Sequence, residues 1–289
     1  MLPRELVYRI ERCRVNPQVA EDDVGSFKLI NLKDCSEIHN TPSGKRWRVD
    51  RLRLALLQGL HENIQWGQHV ENVEHHGDSV RIHCSDGGSH VADIVIGADG
   101  SRSAIRRFLC PEQHAVTPLP YRMLGVGTKL TEEQVIPIRS IDPLRFQGCE
   151  PGTGNFLYCS LLGPSTMETP SSTVQFNVSW PKSPNNEEVF SDNASKLVAL
   201  KLRARGFAPC LRNAIEGITE ETPVSEIILA DWQIHHWNSS GRVTLIGDAA
   251  HPMVMCKNPL LYRFTKKKTH NIQIEVKLET SVSGTCTSF

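Results

Sequence analysis

Apolar positions in the first hundred residues come in short, punctuated runs. Leu2, Leu6, Val7, Ile10 and Cys13 recur at helical spacing over 2–13. Strand-like runs follow at Phe27–Leu32 and Ser36–His39, then a Thr-Pro-Ser-Gly turn at 41–44. Arg51 to Leu60 predicts a helix with Leu52, Leu56, Leu57 and Leu60 apolar. Asn63–Trp66, His69–His75 and Ser79–Cys84, divided by Gly67 and Gly77, predict successive strands, and Asp86-Gly87-Gly88 a hairpin turn. Ile94, Val95 and Ile96 predict a strand buried on both faces, then a tight turn, Gly97 to Gly100, and a short helix, Ala104 to Leu109.

The texture changes between 119 and 232. Phe156–Leu162 and Thr173–Trp180 read as strands of an antiparallel sheet, and Pro181 to Asn186 as a polar loop. Glu187 to Gly206 predicts a helix through Val189, Phe190, Leu197, Val198 and Leu202, followed by a short helix at 209–217 and a strand at 222–230. Val243, Leu245 and Ile246 then return to a buried strand that runs into Gly247-Asp248-Ala249-Ala250.

Two strand ends carry the chemistry. Gly247 lets a ligand or backbone come close, Asp248 can accept from a ligand hydroxyl, and Ala249 and Ala250 leave the next N–H groups uncovered for an anion. Asp99 lies likewise at the carboxyl end of its strand, where open α/β sheets bind ligands. Asp99, Gly100, Ser103 and Arg106 match the Asp-Gly-x-x-Ser-x-x-Arg motif, and Gly247-Asp248 the Gly-Asp motif, of the FAD-dependent monooxygenases. The chain thus resembles the aromatic hydroxylases of that family, such as salicylate hydroxylase.

The resemblance implies an α/β fold: a Rossmann-like FAD-binding domain, incomplete here, interrupted by a mainly antiparallel β-sheet substrate domain. Residues 1–118 and 233–256 would form the first, 119–232 the second, and 257–289 a tail unlike the family. It implies FAD as cofactor, NADPH or NADH as reductant, and dioxygen-dependent hydroxylation of a small, aromatic organic substrate. Asp248 would hold a ribitol or ribose hydroxyl, and Ala249, Ala250 and the following N–H groups would face the pyrophosphate. Asp99 and Gly100 would flank the pyrophosphate and the nicotinamide's approach, with Arg106 paired to the loop or a phosphate. Arg51, with Leu54 after it, resembles an arginine that opens a helix near the flavin. No catalytic acid or base stands out. His235, His236 and Tyr158 are chemically able, but each reads first as structural, since nothing in the sequence places it in a pocket.

Two features depart from the family. No Gly-x-Gly-x-x-Gly occurs in the 289 residues, so the helix N-terminus and ribose acid that hold the ADP half of FAD lack a counterpart, and the chain starts about one βαβ unit late. No glycine stands between Gly247 and Gly284, where the family places a Gly-rich loop. The tail 257–289 reads either as an edge strand, through the alternating Ile272, Ile274, Val276 and Leu278, or, the preferred reading, as sequence from outside the family's frame. The chain is expected to hold FAD weakly or not at all. A non-catalytic flavoprotein fragment or interaction partner is the second reading. A flavin-dependent halogenase or reductase is the third, and no tryptophan-containing halide motif stands in the nucleotide half.

Composition narrows the partners. Lys plus Arg and Asp plus Glu are 32 each, which gives no electrostatic case for nucleic acid or an anionic membrane. No apolar stretch approaches a membrane span, and the first residues lack the core of a signal peptide. Nine cysteines without Cys-x-x-Cys spacing fit free thiols in the cytoplasm. The pairs His75-His76 and His235-His236 point to opposite sides of a strand, so no metal site is expected. Oligomeric state is not fixed by the sequence.

Overall fold

Alternation along the chain sorts the described strands into four sheets. The computed structural model describes residues 3–15, 25–42, 48–163, 171–183, 189–233, 235–237 and 241–252. All of these lie in the unit Met1–Met253. The tail 257–289 falls outside them, as do residues 43–44 of the expected turn.

Helix α1 (Arg4–Glu11) precedes the hairpin of β1 (Ser26–Asn31) and β2 (Glu37–Pro42). Helix α2 (Val49–Leu57) leads to β3 (Val70–His76), β4 (Ser79–Cys84) and β5 (Ser89–Ala92), then to β6 (Val95–Gly97), α3 (Ala104–Leu109) and β7 (Thr117–Pro118). Strand β8 (Tyr121–Thr131) runs straight into α4 (Glu132–Ile141), followed by β9 (Arg145–Cys149), β10 (Phe156–Gly163) and β11 (Ser171–Pro181). Helices α5 (Asn193–Ala204) and α6 (Pro209–Glu216) lead to β12 (Val224–Glu226), β13 (Ala230–Asp231) and β14 (Val243–Leu245).

The main sheet has seven strands in the order β12-β8-β11-β10-β9-β1-β2. Every pairing is antiparallel except β1 with β9. Along β11, Val174, Phe176, Val178 and Trp180 face a core shared with Leu197, Leu200, Leu211 and Ile215 of α5 and α6. The alternate positions Thr173, Gln175, Asn177 and Ser179 face the other way. Each fully buried Leu or Phe stabilises by about 1.5–3 kcal/mol, so this layer carries most of the fold. The mainly antiparallel sheet expected from 119–232 is present, and it reaches further back to take in β1 and β2.

A second core joins β3, β4, β6, α3 and β14 through Val73, Val80, Val95, Ile105, Leu109, Trp232, Val243 and Leu245. Here the expected burial on both faces is corrected. Val95, Val243 and Leu245 are buried, but Ile94, Ile96 and Ile246 are 64%, 57% and 52% exposed. The buried cluster contains the residues of one face only. The run toward Asp99 also breaks after β5, which stays with β4 while β6 pairs with β14. Residues 63–66 form no strand, because a 3-10 turn at His61–Asn63 takes their start.

Candidate functional site

Strands β6 and β14 lie parallel and in register, Val95 opposite Val243 and Gly97 opposite Leu245. The Ile246 amide donates to the Gly97 carbonyl at 2.9 Å. Both strands therefore end at one edge, and the two motifs meet there. Gly97 is required by close packing: a Cβ on it would come within 2.7 Å of the Ile105 Cβ and 2.8 Å of the Leu245 Cδ2. Gly247 is required by its backbone, with φ +59° in the left-handed region, while the space beside it is open.

Arg106 joins the motifs. It is 2% exposed on α3. Its Nε donates to the His114 carbonyl at 3.0 Å and its Nη1 to the Ala249 carbonyl at 2.8 Å, while Nη2 donates to the Ser101 carbonyl. The guanidinium also stacks 4.9 Å from the Trp232 ring centroid. Burial pulls its pKa below the usual arginine value, and the Asp99 carboxylate opposes that shift. Arg106 thus spends its donors on loop carbonyls, and the phosphate alternative is not what this geometry provides. Its neighbour Arg107 is the exposed one.

The acid at each strand end has a different environment. Asp99 accepts from Ser103 Oγ at 2.5 Å and from the amides of Ala104 and Ile105 at 2.7 and 3.3 Å. Ser103 Oγ in turn accepts from the Arg106 amide at 2.8 Å, so this acid and serine together cap α3. Asp248 sits in a 3-10 turn, Gly247–Ala249, exposed and with no side-chain partner among the described residues. The amides of Ala250 and His251 both donate to the Gly247 carbonyl, at 3.0 and 2.9 Å. The expectation that N–H groups after Ala249 stand open to an anion is corrected for these two. The Gly247 carbonyl takes both of them.

The remaining candidates scatter. Arg51 is exposed on the first turn of α2. His236 is exposed, and His235 stacks on Trp232 with ring centroids 5.8 Å apart. Tyr158 is half-buried on β10, opposite Gln147 on one side and Asn177 on the other. Its ring meets Phe27 edge-on at 6.2 Å, and the Arg145 guanidinium stacks 4.9 Å from the same phenylalanine. Sequence reasoning passed over Gln147, Gln175 and Asn177. Strict alternation along β9 and β11 was the signal, since it sends these amides to the face opposite the helices. Asn177 is fully buried with its Nδ2 unpartnered, while Gln175 Nε2 donates to its Oδ1 at 3.2 Å. No metal-binding group of acids, histidines and cysteines occurs among the described residues.

A family model described as an FAD binding domain matches residues 46–256. The chain is 36% identical over 263 residues to the FAD-dependent monooxygenase dbaB of Emericella nidulans, covering 87% of this chain and 66% of that protein. It is 29% identical over 270 residues to the FAD-dependent monooxygenase tazP of Aspergillus terreus, covering 88% and 67%. The chain therefore spans about two thirds of the length of these curated relatives. Among solved structures it is similar to Klebsiella pneumoniae HpxO complexed with FAD and uric acid, with a TM-score of 0.59 and 19% identity over 79% of this chain and 57% of that one.

Proposed function

The chain belongs to the FAD-dependent monooxygenase family, and we propose that its β6–β14 edge holds one side of FAD for the NAD(P)H- and dioxygen-dependent hydroxylation of a small aromatic substrate. The observation that carries the proposal is the in-register parallel pairing that delivers Asp99 and Asp248 to one edge. The residues present fit part of the cofactor. Asp248, exposed beside the open Gly247 turn, is free to accept a ribityl or ribose hydroxyl. Asp99 and Gly100 shape the neighbouring turn, and Arg106 keeps both turns in place. When bound, FAD supplies hydride acceptance and dioxygen activation.

The substrate would lie on the main sheet's polar face. Tyr158 and Phe27 offer aromatic surface there, and the half-buried Gln147 and Gln175 offer directional polar groups. We place the protein in a reducing compartment, the cytoplasm, in keeping with seven free thiols among the described residues. No described helix is long and apolar enough to cross a membrane.

A second reading, a flavin-domain chain without turnover of its own, is favoured by the Ala250 and His251 amides, which the Gly247 carbonyl already engages. Each charge-assisted hydrogen bond that this edge does not offer FAD, at about 1.5–3 kcal/mol, weakens binding by roughly one to two orders of magnitude. The test titrates FAD into residues 1–289 by flavin fluorescence, with Asp248→Ala beside the unaltered chain. Binding weak but reduced at least about tenfold by Asp248→Ala supports the site. Binding unmoved by that substitution overturns it. NADPH oxidation coupled to a hydroxylated product decides between turnover and the second reading.

A further inference from the structure

Beside the main core rather than the core of the β6–β14 pair, two thiols face each other where the first hairpin meets the helical layer. Cys35 sits in the turn between β1 and β2, and Cys210 in the first turn of α6. Their sulfurs stand 3.8 Å apart across 175 residues of sequence. Both are half-buried and pack against the margin of the main core.

The surroundings hold the pair in this geometry. The Ala208 amide, just before α6, donates to the Leu32 carbonyl at 2.6 Å, and the Cys35 amide donates to the Asn31 carbonyl at 2.8 Å. Asp34 accepts from the Ser36 amide and hydroxyl at 2.9 and 2.6 Å, fixing the other side of the turn. Cys35 has φ +61°, and it is the one described residue other than glycine in the left-handed region. Glycine or asparagine would sit there with less strain, so the thiol is an unusual choice for a mere turn. The other described cysteines, Cys13, Cys84, Cys110 and Cys159, are buried, and Cys149 is half-buried.

We propose that Cys35 and Cys210 form a thiol–disulfide site, oxidised by hydrogen peroxide, that bonds the first hairpin to α6. A closing movement of under 2 Å takes the sulfurs to bonding distance, about 2.05 Å. The Cys210 thiolate attacks one peroxide oxygen; the O–O bond breaks, an S–O bond forms, and the second oxygen leaves as water after taking a proton. Cys35 then attacks the sulfenic sulfur; the S–S bond forms, the S–O bond breaks, and a second water leaves. Two thiols thereby give up two electrons and two protons, and one peroxide becomes two waters. Cys210 is assigned as the nucleophile from its place in the first turn of α6, where the positive end of the helix favours a thiolate. The contact between the two sulfurs works the same way: it lowers the pKa of Cys210 against the opposing effect of burial and raises that of Cys35.

The experiment treats the full 289-residue chain with stoichiometric hydrogen peroxide, alkylates what remains, and maps peptides without reduction. The expected result is one cross-linked peptide pair holding residues 35 and 210, two fewer alkylatable thiols, and reversal by dithiothreitol. Cys35→Ser should abolish the cross-link and leave a sulfenic acid at Cys210 that dimedone traps; Cys210→Ala should leave Cys35 unoxidised. Because either variant can misfold, the unaltered chain alone is decisive. Cys210 recovered as sulfinic or sulfonic acid with Cys35 still alkylatable overturns the proposal. So does a different pair linked first, a link between two chains, or no reaction at either residue.

Discussion

The main sheet and the β6–β14 pair both present apolar strands to a helical layer, yet they use them differently. In the main sheet, Val174, Phe176 and Val178 alternate with polar neighbours, and α5 and α6 seal the apolar side. In the pair, apolar residues occupy both faces, but the exposed one carries Ile94, Ile96 and Ile246. Alternation tells the main sheet which way to face. A continuous apolar run does not, so the packing of α3 decides the orientation of the pair. The contrast also separates roles. The first region supplies bulk stability, while the second supplies an edge whose turns are held by one buried arginine.

The largest effect should come from the main core. Phe176→Ala, at a fully buried position, should cost about 3–5 kcal/mol in denaturant unfolding. Val95→Ala in the smaller core should cost less, about 1–2 kcal/mol, in line with the single branched side chain removed. A loss at Val95 as large as that at Phe176, despite the smaller side chain removed, would show that the smaller core is packed the more tightly of the two, and the comparison would fail.

Arg106→Met tests the edge. It preserves much of the side-chain volume but strips the donors from the carbonyls of Ser101, His114 and Ala249. The expected loss is about 2–4 kcal/mol, since each orphaned buried acceptor keeps its desolvation cost. Hydrogen exchange should quicken in 99–106 and 243–249 while β8, β10 and β11 stay protected. Arg106→Lys should not rescue it, because a single ammonium cannot reproduce the planar fork. Exchange quickening equally through the main sheet would mean that Arg106 stabilises the whole fold rather than this edge.

How far the sequence could be read follows the same division. The helix at 104–109 was legible to the residue because its signals are local: a Gly-bearing turn, then Ser103 as cap. The strand β8 was not, because Gly125 and Gly127 interrupt its alternation. Helix α4 was hidden by Pro137 in its interior, although its capping box, Thr131 with Gln134, was there to be found. The role of Arg106 could not be read locally, since its Ala249 partner lies 143 residues away and an arginine on a short helix is ordinarily solvated. Asp99 was legible as a strand-end acid, but its engagement by the α3 amides appears only when the turn is folded.

The smallest expected effect bears most directly on the exposed face of the pair. Ile96→Thr keeps a β-branched residue, and hence the strand preference, while replacing a methyl-bearing arm with a hydroxyl. At a position 57% exposed, such a change should move stability by less than about 0.5 kcal/mol, within the range of ordinary surface substitutions. The same substitution at a buried site would lose the transfer energy of the apolar atoms and bury a hydroxyl, about 1–3 kcal/mol together. Chemical unfolding of the single variant, and of the triple variant with Ile94→Thr and Ile246→Thr, therefore reads out whether this face meets water. A near-zero cost, with less self-association in light scattering, fits three isoleucines standing in solvent on one patch. A cost of 1 kcal/mol or more per site, falling on dilution, would mean that a second surface covers the patch in solution. The pair would then bury both faces, whereas the main sheet buries its apolar side under α5 and α6.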